Sequence, residues 1–228
     1  GADPLETLPR PYAPHPRVPR PRDLFPDRRN SRGADLSDRG VLERMSARIL
    51  AAALDDCGVT ATAVDATSLI QTDDNFMAAS PDFEITRIKT RETLLPMLDR
   101  GVLPVVTGFI GATASGIPTT LGRGGSDYSA AIIGALLPAA EVWIWTDVTG
   151  VMTADPRLVP EARTIPELTF REVAELAYFG AKVLHPKTIR PVIDQGVGLR
   201  VCNTFQPDLR GTYLVKERTQ TDDRVIQA

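Results

Sequence analysis

The chain has 228 residues, 43% of them hydrophobic, enough to bury one large domain or two small ones. A formal net charge of -3 argues against broad nucleic-acid or membrane binding, and no apolar run is long enough to span a bilayer or act as a signal peptide. Cys57 and Cys202 lie far apart and the two histidines add no metal-ligand spacing, so a reducing, cytoplasmic compartment is the default and no metal centre is expected.

Eight of the 19 prolines fall within residues 1–26, which marks the first 36 residues as different from the rest. "RPYAPHPRVPRPRDLFPDRR" has no hydrophobic period, and its prolines forbid helix and deprive a sheet of donors. Residues 1–36 therefore read as a solvated, disordered Pro/Arg-rich arm. Residues 37–228 read as an α/β domain. Ser37 or Asp38 opens a helix whose apolar Val41, Leu42, Met45, Ile49, Leu50 and Leu54 recur at helical spacing, and Gly58 closes it. "TATAVDA" (60–66) reads as a strand, and 86–101 as a helix bent or divided at Pro96. The glycine-bounded run 102–111 reads as one buried strand, and 141–148 as another ending in Thr146-Asp147. Trp143 and Trp145 alternate on that strand and read as core packing. A helical stretch over 169–196, interrupted at Gly180, precedes closing strands at 197–205 and 211–215. Such alternation implies a mainly parallel sheet covered on both faces.

Between the second and third of these units stands "TTLGRGGSDYSAA" (119–131). Gly122, Gly124 and Gly125 bracket Arg123, and Ser126-Asp127 supply helix N-cap residue types ahead of a small-residue helix. A helix N-terminus offers unpaired N–H groups and a partial positive charge, and Arg123 adds a two-pronged donor, so the stretch suits a carboxylate or phosphate. A tight turn with a capped helix and a surface arginine explains the same residues. Neither a Walker A sequence nor a G-x-G-x-x-G fingerprint occurs.

Four ordered blocks, "VTGFIGATASGIPTTLGRGGSDYSAA", "VWIWTDVTGVMTADPR", "FREVAELAYFGAKVLHPKTIRPV" and "RVCNTFQPDLRGTYL", resemble the catalytic domain of aspartate kinases in the amino acid kinase family, from about Gly40 to Leu214. The resemblance implies a three-layer αβα sandwich around a mainly parallel sheet. It also implies transfer of the ATP γ-phosphoryl to the side-chain carboxylate of L-aspartate, with Mg2+, giving 4-phospho-L-aspartate for lysine, threonine and methionine synthesis. Carried over by motif, Arg123 grips the substrate α-carboxylate beside the Gly124, Gly125 and Ser126 backbone, and Asp127 organises the active-site network. Glu43 in "LERMSARIL" faces the substrate ammonium. Thr146, Asp147, Met152, Arg157, Lys182 and Val183 fall to the nucleotide, with Met152 standing where many members carry tyrosine.

The chain departs from that pattern at its start. The family's opening strand and lysine-glycine phosphate loop have no counterpart in residues 1–40, and no lysine precedes Lys89. The expectation is therefore a C-terminal portion of a kinase domain joined to an arm, without the family's ACT regulatory domains. Either a separate chain or a homo-oligomer supplies the other lobe, or the chain is a remnant that binds nucleotide without transferring phosphate.

Overall fold

The computed structural model describes residues 34–154, 158–178, 184 and 186–217. The chain divides into two units, Gly1–Ala34 and Asp35–Ala228. All of the expected arm but Ala34, Asp35 and Leu36, together with Arg157, Lys182, Val183 and His185, lies outside the described residues.

The first helix, α1, spans Ala34–Asp56 and starts before the expected Ser37 or Asp38. It closes as expected at Gly58: with φ +84, that residue lets its own N–H reach the Asp55 carbonyl and the Val59 N–H reach the Leu54 carbonyl. These two bonds satisfy orphan carbonyls at the helix end. Its buried stripe is made of small residues, Gly40, Ala47 and Ala51. Leu42 and Ile49, which the period counted as apolar positions, are 67% and 63% exposed. Strand β1 (Ala61–Val64) pairs in parallel with β3 (Leu103–Val106). Between them come the short β2 (Gln71–Thr72) and α2 (Phe83–Asp99). Asp82 caps α2 by accepting from the Glu84 and Ile85 N–H groups, so the helix begins earlier than expected. Pro96 sits inside it without ending it.

The expected single strand at 102–111 is two strands. After β3 the chain bends at Thr107–Phe109 and resumes as β4 (Ile110–Thr113), which pairs in parallel with β2 and antiparallel with β5 (Pro118–Thr120). Nor is β3 fully buried: Leu103 is exposed and the rest are half-buried. Helix α3 (Gly125–Leu136) follows, then β6 (Glu141–Thr146). Next come β7 (Glu167–Thr169), α4 (Phe170–Tyr178), α5 (Pro186–Gln195), β8 (Gly198–Asn203) and β9 (Thr212–Val215). Strands β6, β8, β9 and β7 lie in that order in one sheet. There β6–β8 and β7–β9 are parallel, whereas β8–β9 is antiparallel. The architecture is α/β as expected, mixed but mainly parallel: of the six strand pairings among the described residues, only β4–β5 and β8–β9 are antiparallel.

Helix α3 joins two hydrophobic clusters. Tyr128, Ile132 and Leu136 pack with Leu69, Leu94 and Ile110, while Ala131 packs with Val142, Ile144, Leu199, Val201 and Leu214. Each large side chain so buried contributes roughly 1.5–3 kcal/mol. The inward residues of β6 are Val142 and Ile144, so the tryptophans on alternate positions point the other way. Trp143 is 51% and Trp145 45% exposed, against the expectation of core packing. Their rings lie 5.9 Å apart, and the Arg200 guanidinium stacks between Trp143 and Tyr213 at 5.5 and 4.9 Å.

Candidate functional site

The glycine turn enters α3 differently from the expected Ser126/Asp127 cap. Gly122 and Gly124 have positive φ values of 81° and 69°, and Gly124 is the N-cap, without a side-chain bond. The first helical bond runs from the Tyr128 N–H to the Gly124 carbonyl at 2.9 Å. Steric room explains the shift. A Cβ on Gly125 would stand 2.5 Å from Cδ2 of Phe109, so the first helical residue has to be glycine. Ser126 and Asp127 thereby become the second and third helical residues, where their side chains and free N–H groups share the positive end of the helix. Arg123 is exposed just ahead of them, and no described acid pairs with it.

Glu43 reaches this place from α1. Its neighbour Arg44 forms an ion pair with Asp65 at the end of β1, and Asp65 also accepts from the Thr67 N–H at 2.9 Å and the Thr67 hydroxyl at 2.7 Å. Burial alone would raise the Asp65 carboxyl, but the bonds from Arg44 and Thr67 outweigh it and hold the group below the usual range. With α1 anchored there, the Glu43 carboxyl faces the Gly108 backbone. Gly108 in turn lies against Ser126: a Cβ there would be 3.1 Å from Ser126 Cβ and Oγ. Glu43, Gly108 and the first turn of α3 thus meet. Burial pushes the Glu43 carboxyl up, with the facing Gly108 backbone offsetting part of the shift, and burial likewise raises Asp127.

Thr146 and Asp147 stand at the carboxyl end of β6, where the Thr146 hydroxyl donates to Asp147 Oδ1 at 3.1 Å. Only Leu137–Ala140 separate α3 from β6, and a Cβ on Gly134 would be 2.2 Å from Val142 Cγ2. A connection this short makes the helix run back over the strand. From Gly134 to Gly125 the helix rises about 13 Å, and from Val142 to Thr146 the strand rises about 13 Å, so the helix start stands level with Thr146. Both groups of candidates therefore sit at the carboxyl ends of their strands, where open α/β sheets take ligands. The loop beyond Asp147 is tied down by Thr212, whose hydroxyl accepts from the Val151 N–H at 2.8 Å and donates to the Ile165 carbonyl at 2.7 Å. Met152 is half-buried and bridges to Thr164.

Sequence reasoning passed over Thr107, Gly108, Phe109 and Ser129, which build the floor of the first group. The Thr107 hydroxyl accepts from the Ala66 N–H at 2.8 Å. The only local signal is the Thr107-Gly108 pair within an apolar run that otherwise predicts one continuous strand. Among the described residues no three His, Cys, Asp or Glu side chains gather into a metal site, and no helix is long and apolar enough to cross a membrane.

A glycine-entered helix, two partly buried carboxyls and a second strand end thus stand together in an α/β fold. The family model of the Amino acid kinase family matches residues 40–203, and the chain belongs to that family. Within it, the chain is similar to lysine-sensitive aspartokinase 3 of Escherichia coli K12, 42% identical over 178 residues. That match covers 78% of this chain and 39% of the relative. It is also similar to the chloroplastic aspartokinase 1 of Arabidopsis thaliana, 44% identical over 184 residues, 78% of this chain and 32% of the relative. The crystal structure of E. coli aspartokinase III in complex with aspartate and ADP superposes with a TM-score of 0.73 at 40% identity, over 78% of this chain and 40% of that one. The chain thus spans about a third to two fifths of the length of these two relatives.

Proposed function

We propose that this chain carries the aspartate-binding part of an aspartate kinase, which transfers the ATP γ-phosphoryl to the side-chain carboxylate of L-aspartate. The observation that supports it most is the meeting of Glu43, Gly108 and the Gly125–Asp127 turn in a chain similar to an enzyme solved with aspartate and ADP. Glu43 would receive the ammonium of the amino acid, and Arg123 its α-carboxylate beside the Gly124, Gly125 and Ser126 backbone. Asp127 would order the reacting end. Thr146, Asp147 and Met152 would hold the nucleotide, joined by Arg157, Lys182 and Val183 outside the described residues. Mg2+ fits this donor set only as a partner of the nucleotide phosphates with a single carboxylate such as Asp127 or Asp147, which is a common way for it to bind. When bound it would neutralise charge on the phosphates.

Residues 1–88 hold no lysine, so in this reading they do not supply the family's phosphate-neutralising lysine. The domain division at residues 36 and 37 and a cytoplasmic setting belong to the same reading. Titration calorimetry on the chain and on Arg123→Lys tests it. The lysine keeps the charge but loses the planar fork, so L-aspartate binding should weaken by about 1.5–3 kcal/mol while Mg-ATP binding stays the same. Unchanged aspartate affinity, or a loss confined to ATP, would make the turn structural and end this assignment.

A further inference from the structure

Phe109 is the one described non-glycine residue with positive φ, at 67°. Across it, the Ile110 N–H bonds the Gly108 carbonyl at 2.8 Å. An i to i+2 closure with a positive central φ is the rare, strained form of the γ-turn, and a bulky side chain makes it costlier. Something must hold it. The Phe109 N–H donates to Ser129 Oγ at 2.9 Å, and the same hydroxyl donates to the Gly125 carbonyl at 2.9 Å. The Phe109 carbonyl accepts from the Leu121 N–H at 2.9 Å, and its ring lies over Gly125.

A helical serine bonding back to the carbonyl four residues earlier is ordinary. Here the oxygen also receives a donor from another element, and Ser129 is buried at 3% exposure, so water cannot take its place. We propose that Ser129 is a positioning residue for the substrate site. It locks the strained Phe109 turn onto the first turn of α3, and so sets Gly108, which lies against Ser126, and the Gly125–Asp127 N–H groups in one fixed arrangement. It touches neither substrate nor nucleotide and acts through Phe109. This rests on the reading above that the junction takes L-aspartate.

Removing the hydroxyl orphans the Phe109 N–H and lets the residue relax to an ordinary φ, which moves Gly108 relative to the first turn of α3. Glycine tolerates positive φ at no steric cost. Phe109→Gly should therefore compensate for Ser129→Ala, a rescue that a mere packing defect at position 129 would not show. The experiment compares the full chain with Ser129→Ala, Ser129→Thr and the double variant Ser129→Ala/Phe109→Gly, using NMR and L-aspartate titration. In Ser129→Ala the Phe109 amide should exchange faster and its carbon shifts should lose the positive-φ signature. Aspartate affinity should fall by about tenfold. Ser129→Thr should restore both, and the double variant should recover most of the affinity.

Retention of the positive-φ signature in Ser129→Ala would overturn the proposal, as would an affinity loss that Phe109→Gly does not relieve. A released Phe109 in a chain that binds no aspartate even as parent would leave the lock standing and remove the aspartate reading instead. Should Ser129→Ala fail to fold, folding of the double variant supports the lock, and its failure too overturns it.

Discussion

Asp127 carries the sharpest electrostatic consequence at the scale of single residues. Burial raises its carboxyl in the folded chain, so the unfolded chain releases its proton at lower pH than the folded one. Between those two values the unfolded state binds fewer protons, and stability falls as pH rises. Asp127→Asn should therefore be more stable than the parent at neutral pH, and the gain should vanish below the unfolded carboxylate range near pH ~4. Because the group is only half-buried, the gain should be no more than about 1 kcal/mol. Urea unfolding at pH 3 and pH 7 measures it, and an Asn variant less stable at pH 7 would show that Asp127 makes a favourable bond in its charged form. The residue types of this turn were legible from the sequence, since glycine, arginine and acid together predict an anion site. Its cap was not: Gly124 caps the helix, and the turn it enters is packed against Phe109 from the distant β3–β4 bend.

At the scale of elements, the placement of α3 on β6 sets where the helix N-terminus falls. Gly134 is the point of closest approach, with the stiff, buried Val142 filling the space a Cβ would need. In an exposed helix, glycine to alanine would gain up to about 1 kcal/mol. Here overpacking should win, and Gly134→Ala should cost roughly 1–3 kcal/mol. Adding Val142→Ala should relieve part of that cost, which a double-mutant cycle by urea unfolding reads directly. An alanine variant as stable as the parent would mean that the helix does not rest on this contact. The existence of α1, α2, α3 and most strands could be read from periodicity and turn residues. The break between β3 and β4 could not, because the only local sign is Thr107-Gly108 inside an otherwise apolar run, and the bend is held by bonds with Ser129 and Leu121.

For the whole molecule, the separation of substrate-side from phosphate-side groups leads to a last expectation. With no lysine before Lys89, the chain assayed alone should turn over aspartate and ATP far below ~1 s⁻¹, because loss of such electrostatic stabilisation costs several kcal/mol of barrier. Weak Mg-ATP binding should persist and be reduced by Asp147→Ala. A coupled ADP-release assay reaching ordinary enzyme rates would contradict this. The four ordered blocks by themselves determined the family, because motif residues and their order survive as a linear pattern. They also determined which residue types stand at the ends of β3 and β6. Only the tertiary structure decided how those residues are held. Alternation along β6 tells which side chains share a face but not which face the helices cover, so Val142 and Ile144 went inward and the tryptophans outward. The strain at Phe109 and its bond to Ser129 join residues 20 positions apart, and no local preference of either one specifies that contact.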